Sequence, residues 1–213
     1  PAWLVLLPMW VATGFLVPMA VSVVPAVAVE TLAGAPQPAG IEPWLQPVVY
    51  GGFAWQGVFL CAAFCAHAVR RWSGAVTVAG PVAAGPAPLV RVIVAGGCVM
   101  ATASAVLHVG VGLAAGSAVT LGLQTADAAL ALAGAAGTVA LVRRRGSRWA
   151  AVAAAWTGSA AMFSWGLYTV AVRMTADGFV TYDAAAGGAQ LTGLLGGFAL
   201  AVAGMLALVG TGE

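Results

Sequence analysis

The chain has 213 residues, of which 62% are hydrophobic and 7% charged, against about 25% charged in a soluble domain. Its net charge is +2, and all eight cations are arginine. This composition excludes an ordinary soluble domain and a basic nucleic-acid arm, so no nucleic-acid partner is expected, and a bilayer is the solvent that suits the chain. Abundant Ala, Gly and Val with no lysine point to a high-GC bacterial genome of actinobacterial type, and hence to a bacterial cytoplasmic (inner) membrane, multi-pass.

A window of about 19 residues reads six transmembrane helices, over 3–28, 48–70, 90–114, 118–142, 149–173 and 188–210. The expected fold is all-α, a polytopic integral membrane helical bundle forming one domain over 1–213. Pro8, Pro18 and Pro25 should kink or interrupt the first helix. Ala26-Val27-Ala28 looks like a signal-peptidase site, but the apolar run before it is longer than the ~7–15 residues of a signal peptide and lacks a basic start. It is read as a true span. Pro/Gly-rich loops at 31–47 and 72–89, two short turns and a polar loop at 174–187 separate the helices.

Arginine placement orients the bundle. Arg70, Arg71 and Arg91 flank one loop, and Arg143, Arg144, Arg145 and Arg148 flank another on the same side, leaving Arg173 opposite. The positive-inside rule then puts both termini in the cytoplasm. Glu30, Glu42, Asp177 and Asp183 fall outside.

Small residues at four-residue spacing (Gly97–Ala101–Ala105, Ala129–Ala133–Gly137, Gly193–Gly197) should let helix backbones approach, within the chain or between copies of it. Two stripes add polar groups. Gly97, Ala101, Ser104, His108 and Gly112 share one face of the third helix; Thr120, Gln124, Asp127, Ala131, Gly134 and Thr138 share one face of the fourth. The very short turn between these helices predicts that the two faces meet.

Asp127 is the informative residue. A carboxylate near mid-bilayer costs at least ~2.5–3.5 kcal/mol, so it implies a ligand, a proton or a partner side chain. At ~1.5 Å per residue, His108 lies about 10 Å and Asp127 about 13 Å from the outer helix ends. A hydrogen bond or shared proton between them would solve the burial problem of both. Gln56 reaches a similar depth on the second helix, and Ser164, Trp165 and Tyr168 span about 7–14 Å on the fifth. The expectation is an outward-facing pocket in the outer leaflet half, with Asp127 and His108 as catalytic pair. Gln56, Gln124, Ser104, Ser164, Trp165, Tyr168 and Trp55 would bind substrate.

The three cysteines (Cys61, Cys65, Cys98) fall inside predicted helices. Three thiolates suit a soft metal such as Cu(I), but Cys is also a small buried hydrophobe, and core packing is the reading adopted. His67 and His108 lie at opposite depths, which disfavours one haem between them. No Walker, Rossmann, zincin or nucleophile-elbow pattern occurs. No metal and no cofactor are therefore expected. Trp3, Trp44, Trp72 and Trp149 sit at predicted interfaces as an aromatic belt.

Phe53-Ala54-Trp55-Gln56 resembles, over four residues, the aromatic-Trp-Glu stretch of the small integral-membrane terpene cyclases, in which an acid within the bundle protonates an isoprenoid. Gln56 stands where that family has Glu, so the acid would have to be another residue, such as Asp127. The expected function is binding or converting a small lipophilic, lipid- or isoprenoid-like substrate by acid chemistry. A proton-coupled small-molecule carrier and a non-catalytic membrane subunit or scaffold are the alternatives.

Overall fold

A computed structural model of the chain describes residues 3–34, 42, 44–71, 88–143, 147–176 and 183–209, and the regular structure among them is helical throughout. The first predicted span is one rod in three pieces: α1 (Trp3–Pro18), a π-helical segment (Met19–Val23) and α2 (Val24–Leu32). There follow α3 (Leu45–Arg71), α4 (Pro88–Ala114), α5 (Ala118–Arg143), α6 (Arg148–Ala176) and α7 (Ala184–Val209). The expected spans agree with these within a few residues at most ends.

The helix ends follow local chemistry. Gly116 takes a positive φ of 65° between α4 and α5, the left-handed geometry that ends a helix without a Cβ penalty. Ser117, Ser147 and Asp183 then cap α5, α6 and α7: their side-chain oxygens accept hydrogen bonds from the first-turn N–H groups of Thr120 (3.4 Å), Ala150 (3.4 Å) and Ala185 (3.0 Å).

Among the described residues, four stretches are long and apolar enough to cross a membrane: Leu6–Leu32, Pro88–Ala114, Ala118–Arg143 and Ala184–Leu208. The chain is thus a multi-pass helical membrane protein. α6 is equally long, with 29 residues, but Trp156, Gly158, Ser159, Ser164, Trp165 and Gly166 dilute its apolarity. It can carry them because it is central. Ala151, Ala155, Ser159, Ala160, Ala161, Met162 and Ser164 are all buried, packed by α1, α5 and α7.

Small residues set the packing. A Cβ on Gly134 would lie 2.9 Å from the Gly158 carbonyl carbon, and one on Gly97 would lie 2.9 Å from Leu200 Cδ2. Gly196 meets Met100 and Ala101, and Gly197 meets Ser159 and Phe163. Two of the three expected small-residue faces are therefore used within the chain. On the third, Gly137 closes onto Ala155, whereas Ala129 is exposed. The α4 stripe is buried from Gly97 to Gly112, but it does not face α5 along its whole length. Gly97, Ala101 and Ser104 contact α7, Ala101 and Ala105 share one core cluster with Ala128, Ala131 and Ala135 of α5, and the His108–Gly112 end meets α5 at Leu121 and Gln124.

α3 is peripheral. Among the described residues it packs mainly on the first rod, where Gly57 meets Leu16. The side chains of Cys61, Cys65, Arg71 and Arg173, and residues 72–87 and 144–146, lie outside the described residues; so do the metal and interface readings placed on them, and that of Arg144 and Arg145 in the orientation argument.

Candidate functional site

Towards the end of the bundle marked by the α4–α5 turn, the helices part around a cavity of about 280 Å³. Its wall is built from every rod except α3. Pro18, Ser22 and Val23 come from the π segment and its edge, His108 from α4, Leu123, Gln124 and Asp127 from α5, Trp165 and Thr169 from α6, and Ala186, Ala189 and Gln190 from α7. A narrow recess of about 20 Å³ adjoins it, sharing His108, Asp127, Trp165 and Gln190 and reaching Ser104, Leu130 and Met162. That recess has room for about one water molecule.

The π segment follows from the sequence. Pro18 and Pro25 both lack an N–H, so two intrahelical hydrogen bonds are missing about two turns apart. The chain between them widens, and the Val24 N–H reaches back five residues to the Met19 carbonyl. Such bulges distort a helix and re-aim its side chains. Here the widened turn puts Ser22 on the cavity wall, buried at 8% exposure.

His108 and Asp127 line the same cavity and are close enough to interact electrostatically, as the helix periodicities and short turn predict. They are not hydrogen-bonded to each other. The partner of His108 is Gln124, whose Oε1 accepts from Nδ1. With the proton on Nδ1, Nε2 is left to exchange a proton with a neighbour. The Asp127 carboxylate accepts no hydrogen bond from the described residues.

The remaining site expectations separate cleanly. Ser104 reaches the recess, but its hydroxyl donates to the Ala189 carbonyl at 2.8 Å. Trp165 lines both cavity and recess, and Phe15 and Tyr168 hold its ring edge-on at centroid distances of 6.2 and 5.7 Å. Tyr168 thus braces the aromatic wall from outside, with 48% exposure. Ser164 is fully buried and donates to the Val11 carbonyl at 3.1 Å, tying α6 to α1 away from the cavity. Trp55 and Gln56 lie outside the site: Trp55 is 64% exposed and Gln56 is exposed beside it on α3. Depth in the bilayer is what suggests them, and depth says nothing about which way a helix is rotated. The four-residue terpene-cyclase resemblance therefore contributes no residue to the cavity.

Eight of the twelve wall residues are not among the expected site residues, Pro18, Ser22, Thr169 and Gln190 among them. Gln190 sits in the second turn of α7, inside the predicted sixth span, where a lone glutamine near the helix start carries no periodic signal. Ser22 and Pro18 lie in the first helix, where the two prolines were legible as a kink but not as a wall. Among the described residues no cluster of three His, Cys, Asp or Glu side chains could hold a metal ion. Comparison with family models, curated proteins and solved structures returns no match to this chain, so the site stands on its own residues.

Proposed function

We propose that this chain binds or converts a small lipophilic molecule in the cavity, with Asp127 as the acid and His108 as its proton partner. The protein would span a bacterial inner membrane six times with both termini in the cytoplasm, placing the cavity in the outer leaflet half. The described arginines Arg70, Arg91, Arg143 and Arg148 lie at the helix ends away from the cavity, and the positive-inside rule reads that end as cytoplasmic. Gln124 orients the imidazole, and Trp165 supplies a rigid apolar wall. Of the small-residue faces, the partly open Ala129 side of α5 is the one left for oligomerisation.

One observation carries this reading: the Asp127 carboxylate lines a cavity and has no hydrogen-bond partner among the described residues. A structural carboxylate in a bundle is expected to be paired, because an unpaired one costs several kcal/mol. A cavity of about 280 Å³ lies just below the ~300–1,000 Å³ typical of ligand sites, which suits a small ligand. General acid work needs a carboxyl that can hold a proton and a neighbour that can exchange it. To test it, the purified protein is extracted with organic solvent and the apolar extract compared by mass spectrometry with that of Asp127→Asn. A bound small molecule present in the first and absent from the second is expected; equal amounts in both would remove Asp127 from the site.

A proton-coupled carrier is the second reading, favoured by the interrupted first helix, since broken helices border the sites of many carriers. Transport indifferent to collapse of the proton gradient would eliminate it.

A further inference from the structure

α3 meets the rest of the bundle along one edge. Tyr50, Ala54 and Gly57 follow one another there at spacings of four and three, with Gly57 buried against Leu16 and the other two half-buried. On the opposite face Val49, Gly52, Gln56, Phe59, Ala63 and Ala66 alternate at spacings of three and four, and all six are exposed. Leu45 and Arg70 extend the same line by one step at either end and are exposed too. Any helix has a line at this spacing; what sets this one apart is what it carries. Bulky Val48, Phe53, Trp55 and Leu60 flank it, while Gly52 and Gln56 stand one turn apart on it. A Cβ on Gly52 would meet nothing within 4 Å, so no neighbour described in the chain uses the close approach that a glycine offers.

Gln56 lies near the middle of α3, about 17 Å from the Leu45 end and about 22 Å from the Arg71 end at ~1.5 Å per residue. Its amide has two N–H donors and a carbonyl acceptor, and none of them is hydrogen-bonded among the described residues. Ser104, Thr138, Ser159 and Ser164, by contrast, are buried and donate to carbonyls. The exposed Thr102 and Thr125 donate to carbonyls of their own helix one turn back. Hydrocarbon offers the exposed amide neither donor nor acceptor.

The amide itself specifies what covers it. A carboxylate from another subunit would engage only its donors, and an ammonium only its acceptor. A second copy of the same helix answers both. All copies insert with one orientation, so a two-fold axis along the membrane normal sets Gln56 of the second copy at the same height. Each amide then donates an N–H to the carbonyl oxygen of the other. Gly52 lets the backbones close at that level, and a single polar residue on the seam fixes the register of a left-handed helix pair. Arg70 lies at the membrane interface, where the two guanidinium groups splay into water.

Taking α3 as the second of the six proposed spans, and independently of any ligand in the cavity, we infer that the chain forms a two-fold dimer through this face of α3. A Gln56–Gln56 amide pair holds it in register. The face is separate from the open Ala129 side of α5.

The test uses the full chain in phosphatidylcholine vesicles, with donor- and acceptor-labelled copies mixed and energy transfer followed as lipid is added. Transfer should depend on the acceptor fraction as it does for a dimer. Gln56→Leu should weaken association about three- to twentyfold, the effect of interhelical hydrogen bonds in a bilayer, and leave the melting curve of the dispersed chain in detergent unchanged. Ala62 and Ala63 are both exposed, but only Ala63 is on the line. With Cys61, Cys65 and Cys98 replaced by alanine, mild oxidation should therefore link Ala63→Cys into dimers and leave Ala62→Cys largely unlinked. Transfer no greater than random proximity at every lipid ratio overturns the dimer. Equal linking of the two cysteine variants overturns the α3 face, and so does a dimer dispersed by Ala129→Leu but not by Gln56→Leu. If an impermeant maleimide labels Ala63→Cys as fast as Ser117→Cys, α3 does not cross the bilayer and the span falls together with the dimer.

Discussion

Two regions of the same bundle use the same residue types to opposite effect. Towards the arginine-bearing ends, Trp10, Trp156, Thr13 and Ser159 form a closed set: each indole donates to a hydroxyl, and each hydroxyl donates to a carbonyl. Around the cavity, Trp165 and Ser22 make no such bonds. The helix spacing explains the contrast. Gly134 and Gly158 bring α5 and α6 into backbone contact, with Gly137 against Ala155 next to it. Nearer the α4–α5 turn, Leu123, Asp127 and Trp165 stand where those small residues stood, and the π segment bends the first rod around them. Where backbones touch, polar side chains reach one another. Where they part, the side chains line space instead.

The largest effect should come from forcing the closed region open. Gly158→Leu would set a side chain into the α5 backbone and cost about 3 kcal/mol, read as a lower melting temperature in detergent. An unchanged melting temperature would show that this contact does not set the helix spacing. Asp127→Leu should act in the other direction. Replacing an unpaired carboxylate should stabilise the protein by about 2 kcal/mol while abolishing ligand retention, and a destabilised variant would make Asp127 a structural group. Ser159→Ala should cost about 1–2 kcal/mol because it strands the Trp10 N–H.

Ser22→Ala gives the contrast its sharpest form. With no bond to lose, it should change the stability of the ligand-free protein by less than about 0.5 kcal/mol. A loss matching that of Ser159→Ala would erase the distinction between the two regions. Gln56→Ala, on the exposed side of α3, is expected to change neither stability nor ligand retention beyond about 0.5 kcal/mol. Loss of retention there would extend the site to a helix that the cavity does not include.

The difference between Trp165 and Trp55 shows what can be read before folding. Both are tryptophans at similar depth beside polar residues, yet one lines the cavity and the other faces outward. Depth follows from counting residues along a helix, whereas facing depends on the neighbours that claim each side. Periodicity resolved this for α4, whose small-and-polar stripe is its buried face. It worked less well for α5, where the stripe divides between Gly134 against α6 and Gln124 and Asp127 on the cavity. For α3 it failed, because no face is consistently small or polar and the helix packs along one edge.

Composition and patterning alone determined an all-helical membrane chain, its helix boundaries, the burial of the α4 stripe and the proximity of His108 to Asp127. Those follow from local rules: apolar run length, 3.6-residue periodicity and a three-residue turn. Tertiary structure decided the rest. It gave His108 to Gln124, left Asp127 unbonded, turned the Pro18–Pro25 interval into a cavity wall and brought in Gln190 from the far end of the chain. Each depends on which helices become neighbours and how far apart their backbones stand, and no single helix carries that information.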